Sequence, residues 1–311
     1  MLSSLLFAAV LGTAPAAQPV SLNRVFAKGE RSQYEVKAHL VEETRGGGLQ
    51  TFVPSDLDIV YRFEHTVTEL KQDGIAVLRY LRPTMTVTEG ETVDSAPKTK
   101  VEKINLDATI TVSPINELLN VVENKKSGLK KTVARRQLGE ILDAFVDGLG
   151  QMVLFIGSID SSLDFAPKLP FDEVAPGDTW KRTAGYSPQK LAGAEGKTAV
   201  QRLDYTYRYE GVVDSGGRKV HRVTAELGVE TDLAEFLHQI SGRKPEQTGL
   251  KAIPFRLQSK MEFDLDLATR KTLRALATSQ GRAEVLTTRR TEPVLEQRMR
   301  GRTLLRLLPA K

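Results

Sequence analysis

The sequence predicts a mainly β fold (β-rich α+β), made of long antiparallel hairpins with a central helix packed on the sheet. Three observations carry this. Beyond Gly29, apolar residues recur mostly at every second position, the mark of half-buried strands. Turns containing Gly or Asp separate the alternating runs. Over residues 129–156 the spacing changes to a helical one.

In chain order, Leu57, Ile59, Tyr61 and Phe63 face one way, with Asp56, Asp58, Arg62 and Glu64 facing the other. Gln72-Asp73-Gly74 turns the chain and residues 75–81 return. A further strand runs through Ile104, Leu106, Ala108, Ile110 and Val112 and stops at Pro114. Residues 117–122 read as a return strand or as one helical turn. The helical stripe comprises Leu138, Ile141, Leu142, Phe145, Leu149, Met152, Val153 and Ile156, interrupted by Gly139, Gly148 and Gly150, so a kink near Gly148 is expected. Residues 161–178, with Pro167, Pro170 and Pro176, form an irregular linker. Leu203, Tyr205, Tyr207 and Tyr209 then alternate, Asp214-Ser215-Gly216-Gly217 turns, and residues 220–227 return. Residues 233–240 form a short helix ended by Gly242. Phe255, Leu257, Met261, Phe263 and Leu265 alternate up to a reversal at Ala268-Thr269-Arg270, and residues 282–288 and 294–308 close the chain as strands.

Composition bounds the function. The chain has 311 residues, a net charge of +5 and no cysteine, which excludes disulfides, thiolate metal sites and cysteine nucleophiles. Residues 1–16 combine a short apolar run with small residues at Ala14 and Ala16, the pattern of a cleaved signal peptide, although the n-region lacks Lys and Arg. The expectation is an exported protein of the periplasm or extracellular space, not lipidated, with residues 17–311 as a single soluble β-rich domain. No later segment has the roughly 18 uncharged apolar residues of a transmembrane span.

A faint repeat subdivides that domain. Tyr61-Arg62-Phe63-Glu64 parallels Tyr207-Arg208-Tyr209-Glu210, and Tyr34 and Trp180 precede these motifs by the same distance. Two duplicated β-units, 29–125 and 177–308, joined by 126–176, would produce this spacing.

The run Pro170-Phe171-Asp172-Glu173-Val174-Ala175-Pro176-Gly177-Asp178-Thr179-Trp180, after an export signal, hairpins and a helix, resembles secreted bacterial β-rich proteins of uncharacterised function. These carry a proline, a spacer and a Gly-Asp-Ser/Thr-Trp turn entering a strand. The resemblance implies an architecture similar to the half-barrel of periplasmic lipoprotein carriers, a curved sheet with the helix on its concave face. It supplies no catalytic residue.

Searches for chemistry return little. Ser-x-x-Lys occurs at Ser95–Lys98, Ser127–Lys130 and Ser187–Lys190, without the motifs that accompany it in serine acyltransferases. No nucleophile elbow, zinc-protease helix or phosphate loop is present. His39, His65, His221 and His238 are isolated in sequence, and His65 and His221 would meet only if the repeat aligns them. The Asp56/Asp58 and Asp264/Asp266 pairs read as solvated strand faces rather than calcium or acid/base pairs. No catalytic residue, metal site or cofactor is therefore assigned. Trp180 is expected to pack the linker onto the sheet, or else to floor a ligand site. Arg298, Arg300 and Arg302 line one strand face; between Arg270 and Lys311 there are eleven Lys/Arg against three Asp/Glu. Such a stripe either engages anionic groups or protects an exposed face or an edge strand from aggregation. Nucleic acid is not an expected partner.

Three functional readings follow. The first is a non-catalytic binding module for an apolar or amphiphilic envelope ligand, with Phe145, Leu149, Trp180, Arg298, Arg300 and Arg302 as ligand-binding residues and a lipid or anionic envelope component as partner. The second is a structural or interaction protein whose core the helix fills. The third is a hydrolase with an unrecognised site.

Overall fold

Alternation in sequence becomes alternation in burial. In β1 (Arg31–Gly46), Tyr34, Val36, Ala38 and Leu40 are buried while their neighbours face outward. The computed structural model describes residues 18–46, 48, 50–90, 98–102, 106–124, 149–150, 153–154, 166–186, 201–241 and 244–309. Its strands form one curved, open, antiparallel sheet.

The first half contains β2 (Val53–Leu70), β3 (Ala76–Arg82), β4 (Met85–Glu89), β5 (Lys98–Glu102), β6 (Leu106–Val112) and β7 (Leu118–Glu123). The second contains β8 (Thr179–Tyr186), β9 (Gln201–Ser215), β10 (Arg218–Asp232), β11 (Leu250–Ala252), β12 (Pro254–Leu265), β13 (Thr272–Thr287) and β14 (Leu295–Leu307). Along the sheet the order is β7-β6-β3-β2-β1-β14-β13-β12-β10-β9-β8, so two meanders meet where β1 pairs with β14. β2 is long enough to serve two partners: its first half pairs with β4 and its second with β3. The break falls at Pro83, which has no N–H to donate to a ladder. Two short helices, α1 (Ala234–Ser241) and α2 (Pro245–Thr248), lie between β10 and β11.

The mainly β fold, the main hairpins and the helix after β10 match the sequence reading. Residues 118–123 are strand, which settles the choice left open there. β4, β5 and β11 were not expected: each is short, and none shows a clean apolar alternation. The Tyr34 and Trp180 spacings are equal, but the registers differ. Trp180 stands opposite Tyr207, whereas Tyr34 stands opposite Phe63 rather than Tyr61.

The central helix is described at Leu149, Gly150, Val153 and Leu154, all buried and helical. They sit on the inner face where the sheet is lined by small residues. Gly301 of β14 lies between Leu40 and Ser279, and Ser279 pairs with Ser259. A Cβ at Gly301 would lie 2.8 Å from Val153 Cγ1 and 3.0 Å from the Val153 carbonyl oxygen; one at Gly150 would lie 2.8 Å from Leu40 Cδ2. These glycines let helix and sheet approach closely, and Thr303 Oγ1 donates to the Leu154 carbonyl at 2.6 Å. Phe145, the expected kink at Gly148 and the three Ser-x-x-Lys serines lie outside the described residues.

Two irregular segments tie the turns together. Val20 pairs with Val174, the Arg24 N–H donates to Pro114 O in the β6–β7 turn, and the Val25 N–H donates to Thr269 O in the β12–β13 turn. The Leu169 N–H donates to Ile115 O, and Trp180 Nε1 donates to Lys168 O at 2.7 Å while its ring stacks on Tyr207. Trp180 thus holds the proline-rich linker against β9.

Candidate functional site

Each strand offers one apolar and one charged face, so the candidates divide between the inside and the outside of the curve. Inside, Tyr34, Phe63, His65 and Tyr80 come together from β1, β2 and β3. Phe63 stacks on Tyr34 and on Tyr80 with centroids 5.1 Å apart in each case, and His65 lies 4.9 Å from Phe63. Beside them is a cavity of about 80 Å³, lined by Tyr34, Phe63, Val67, Leu78, Ile110 and Leu305. Its charged wall is a compact cluster: Glu30 accepts from Arg24 at 2.7 Å and from Lys271 at 2.6 Å. Burial alone would raise the Glu30 pKa, but Lys271 and Arg24 outweigh it and hold the carboxyl below its ordinary range.

One row further along the inner face, Arg82 closes β3. It is 7% exposed, opposite Leu106, with its guanidinium over the Tyr61 ring at 5.0 Å. Burial pushes the Tyr61 and Tyr80 hydroxyls well above their ordinary pKa, with Arg82 pulling the other way, so both are neutral O–H groups. Tyr61 Oη and Arg82 Nε are both buried without a hydrogen-bond partner.

On the opposite wall, Tyr209 Oη and His221 Nδ1 share a hydrogen bond of 2.7 Å. Burial, then the positive charge of Arg270, pushes the His221 pKa below its usual value. His65 and His221 therefore belong to separate aromatic clusters. Among the described residues no three His, Asp or Glu converge as a metal site.

Outside, Arg298, Arg300 and Arg302 do share one exposed face. Arg298 lies over Phe52 at 4.1 Å, Arg300 is 3.6 Å from Glu43, and Arg302 stands between His39 and Thr278. Of the alternative protective role, the edge-strand part is overturned, because β14 is central, flanked by β1 and β13, while the three arginines do lie on an exposed face. The face also carries Arg256 and Arg282 in the Arg298 row, each paired with a carboxylate. A solvated Asp264 is likewise corrected. Arg222 at 2.8 Å, Ser215 at 2.8 Å and Arg274 at 3.4 Å leave this carboxylate 1% exposed. Asp266 instead caps the β12–β13 turn, accepting from the Ala268 and Thr269 N–H groups. Asp58 stays on the surface, bonded to His39 at 2.9 Å.

No protein-family model and no curated protein matches the chain. Solved structures with similarity include lipovitellin, from work on its lipid–protein interactions (10% identity, TM-score 0.43, 92% of this chain and 26% of that one). The hypothetical lipoprotein YmcC from Escherichia coli is similar at 12% identity over 91% of both chains (TM-score 0.25). A DUF1329 family protein from Desulfovibrio piger is similar at 10% identity (TM-score 0.14, 89% of this chain and 86% of that one). All three scores are low, and no function passes from them to this chain.

Of the residues assigned to a ligand from the sequence, the described ones do not come together in one place. Leu149 is buried on the inner face, Trp180 lies at the β8 edge on the linker, and the three arginines point outward from the same strand that carries Gly301 inward. The Arg82–Tyr61 group was missed. Its one sequence signal is position: Tyr80 and Arg82 alternate with Arg79 and Leu81, so Arg82 falls on the apolar side of β3. No described helix is long and apolar enough to cross a membrane.

Proposed function

We propose that this chain is an exported, non-catalytic binding module for an apolar or amphiphilic ligand of the bacterial envelope, covered by the helix that includes Leu149. The supporting observation is the aromatic cavity on the inner face, bounded by Tyr34, Phe63 and Leu305. At about 80 Å³ it is far smaller than the roughly 300–1,000 Å³ that encloses a drug-sized ligand. A chain-like ligand therefore enters by displacing cover from the sheet. The helix at Leu149, Val153 and Leu154 does not line the cavity but seats beside it, on Gly301 and Thr303 of the strand that brings Leu305 to the cavity, and is the cover this reading displaces; Phe145 belongs to the same stripe. On this reading Trp180 borders the site, and Arg298, Arg300 and Arg302 bring the outer face to an anionic envelope surface.

Mass spectrometry of organic extracts from the native protein, with titration of a fluorescent fatty acid, tests the reading. Co-purifying lipid and saturable binding are expected. Absence of both would overturn it in favour of a structural protein with a helix-filled core. The close seating of Val153 on Gly301 and the small size of the cavity favour that second reading.

A further inference from the structure

Arg82 poses a question of charge. It is only 7% exposed, and it carries the positive charge of a guanidinium. Among the described residues no carboxylate forms an ion pair with it; its nearest described company is the Tyr61 ring and the Tyr80 hydroxyl. Every other strongly buried cation described here has oxygen partners. Arg24 holds Glu30 and two carbonyls, and Lys168 donates to the Asn116 carbonyl. A cation–π contact returns only part of the hydration that burial removes. Arg82 and the Tyr61 hydroxyl interact electrostatically, yet neither the Arg82 Nε–H nor Tyr61 Oη reaches a partner with hydrogen-bond geometry, and both belong to the inner face of adjacent strands.

We infer that Arg82 and Tyr61 form a receptor for an oxyanion, the carboxylate or phosphate head of an amphiphile whose apolar part lies along the Phe63–Tyr80–Tyr34 cluster. This deepens the binding-module reading and rests on it. The chemistry matches at each point. A guanidinium offers a planar fork of donors suited to a two-oxygen head. Tyr61 adds a neutral hydroxyl donor, because burial keeps it protonated. Next to this polar end, Phe63 stacks on Tyr80 and lines the cavity, so the surface passes from a cationic donor pair to an apolar wall along two strands. A purely apolar ligand would leave the charge as before, whereas an anionic head supplies the ion pair that no described carboxylate makes with Arg82.

Titration of the whole protein with cis-parinaric acid and with its methyl ester tests this, because the two share the same apolar chain and differ in the charge of the head and one methyl group. The acid is expected to bind about 10-fold tighter than the ester, the scale of one charge-assisted hydrogen bond. In Arg82→Met the acid should weaken by about that factor. The ester should change by less than about 2-fold, which also shows that the variant is folded. Arg82→Lys should keep most of the preference. Dodecyl phosphate displacing the probe, with dodecanol failing to, would extend the site to phosphate heads; displacement by dodecanoate alone would restrict it to carboxylates. Equal binding of acid and ester to the native protein would overturn the oxyanion receptor while leaving the binding module standing. Binding of neither would remove the module itself. Thermal melts of ligand-free protein add an independent readout: Arg82→Met should raise Tm if the charge is uncompensated, and a lowered Tm would show that Arg82 is a structural bracket.

Discussion

Substituting Gly301 by alanine puts a methyl group where the helix touches the sheet. Its Cβ would lie 2.8 Å from Val153 Cγ1, 3.0 Å from the Val153 carbonyl oxygen and 3.3 Å from the carbonyl carbon. A flexible side-chain tip can move aside, but two of these three atoms are backbone, so the helix itself must shift. Overpacking of this kind costs about 1–3 kcal/mol. Gly228 is the control, because a Cβ there meets nothing within 4 Å on an exposed strand position. Gly228→Ala should therefore change stability by less than about 0.5 kcal/mol. Val153→Ala separates the side-chain and backbone parts of the clash. Alone it removes two buried methyl groups, a loss of about 1.6 kcal/mol at about 0.8 kcal/mol per carbon. Combined with Gly301→Ala it should cost less than the two single changes added together, by about 0.5–1 kcal/mol. Urea denaturation measures all four variants, with the m-value as the check on a common unfolded state. If Gly301→Ala and Gly228→Ala melt alike, or the double variant is strictly additive, the helix does not sit on the Gly301 groove.

Three further outcomes are expected. Leu149→Ala should cost about 2–5 kcal/mol in the same assay if the helix is permanent cover, and clearly less if it is displaced with ease. Asp264→Asn removes one of the two carboxylates that Arg222 and Arg274 share, Glu262 remaining, and should cost about 1.5–3 kcal/mol, whereas Asp58→Asn on the surface should cost less than about 1. His221 titrates below its ordinary 6.5 in the folded protein, so the unfolded chain binds the proton first as pH falls. Its contribution is complete above pH 6.5 and is lost as pH drops through the lowered value. Urea midpoints of the native protein and His221→Gln should converge toward acid pH, and a constant gap from pH 8 to 5 would refute the assignment.

How much of this was legible depended on periodicity. Long strands that bury one face announce themselves, and Leu203 to Tyr209 or Phe255 to Leu265 were read as strands because each alternate residue is large and apolar. The helix seat was not legible, because its signal is the lack of bulk at Gly301, Ser279 and Ser259, residues that propensity assigns to turns or surfaces. The position of β14 was also hidden. Nothing local in Arg298 to Arg302 reveals that their strand lies at the centre of the sheet, since that follows from pairing with a strand far away in the chain. Asp264 alternates with apolar residues as an exposed aspartate would; only the arrival of Arg222 and Arg274 from the flanking strands buries it. Arg82 was overlooked for a related reason, as a lone arginine at a strand end is read as solvent-exposed until its neighbours are known.

The seam between β1 and β14 also governs when the molecule can become whole. Each meander assembles from hairpins between neighbouring strands, contacts that form quickly because little chain must be closed into a loop. The register that sets Tyr34 opposite Leu307 joins residues from the two ends of the described chain, and such distant pairing forms late and slowly. Until β14 arrives, β1 keeps an unpaired edge and the groove at Gly301 does not exist, so the helix has no seat. A chain emerging from a ribosome or a membrane pore would thus hold two partial sheets without a closed interior, remaining pliable until its final strand is delivered. Tight inner packing is deferred to the last step.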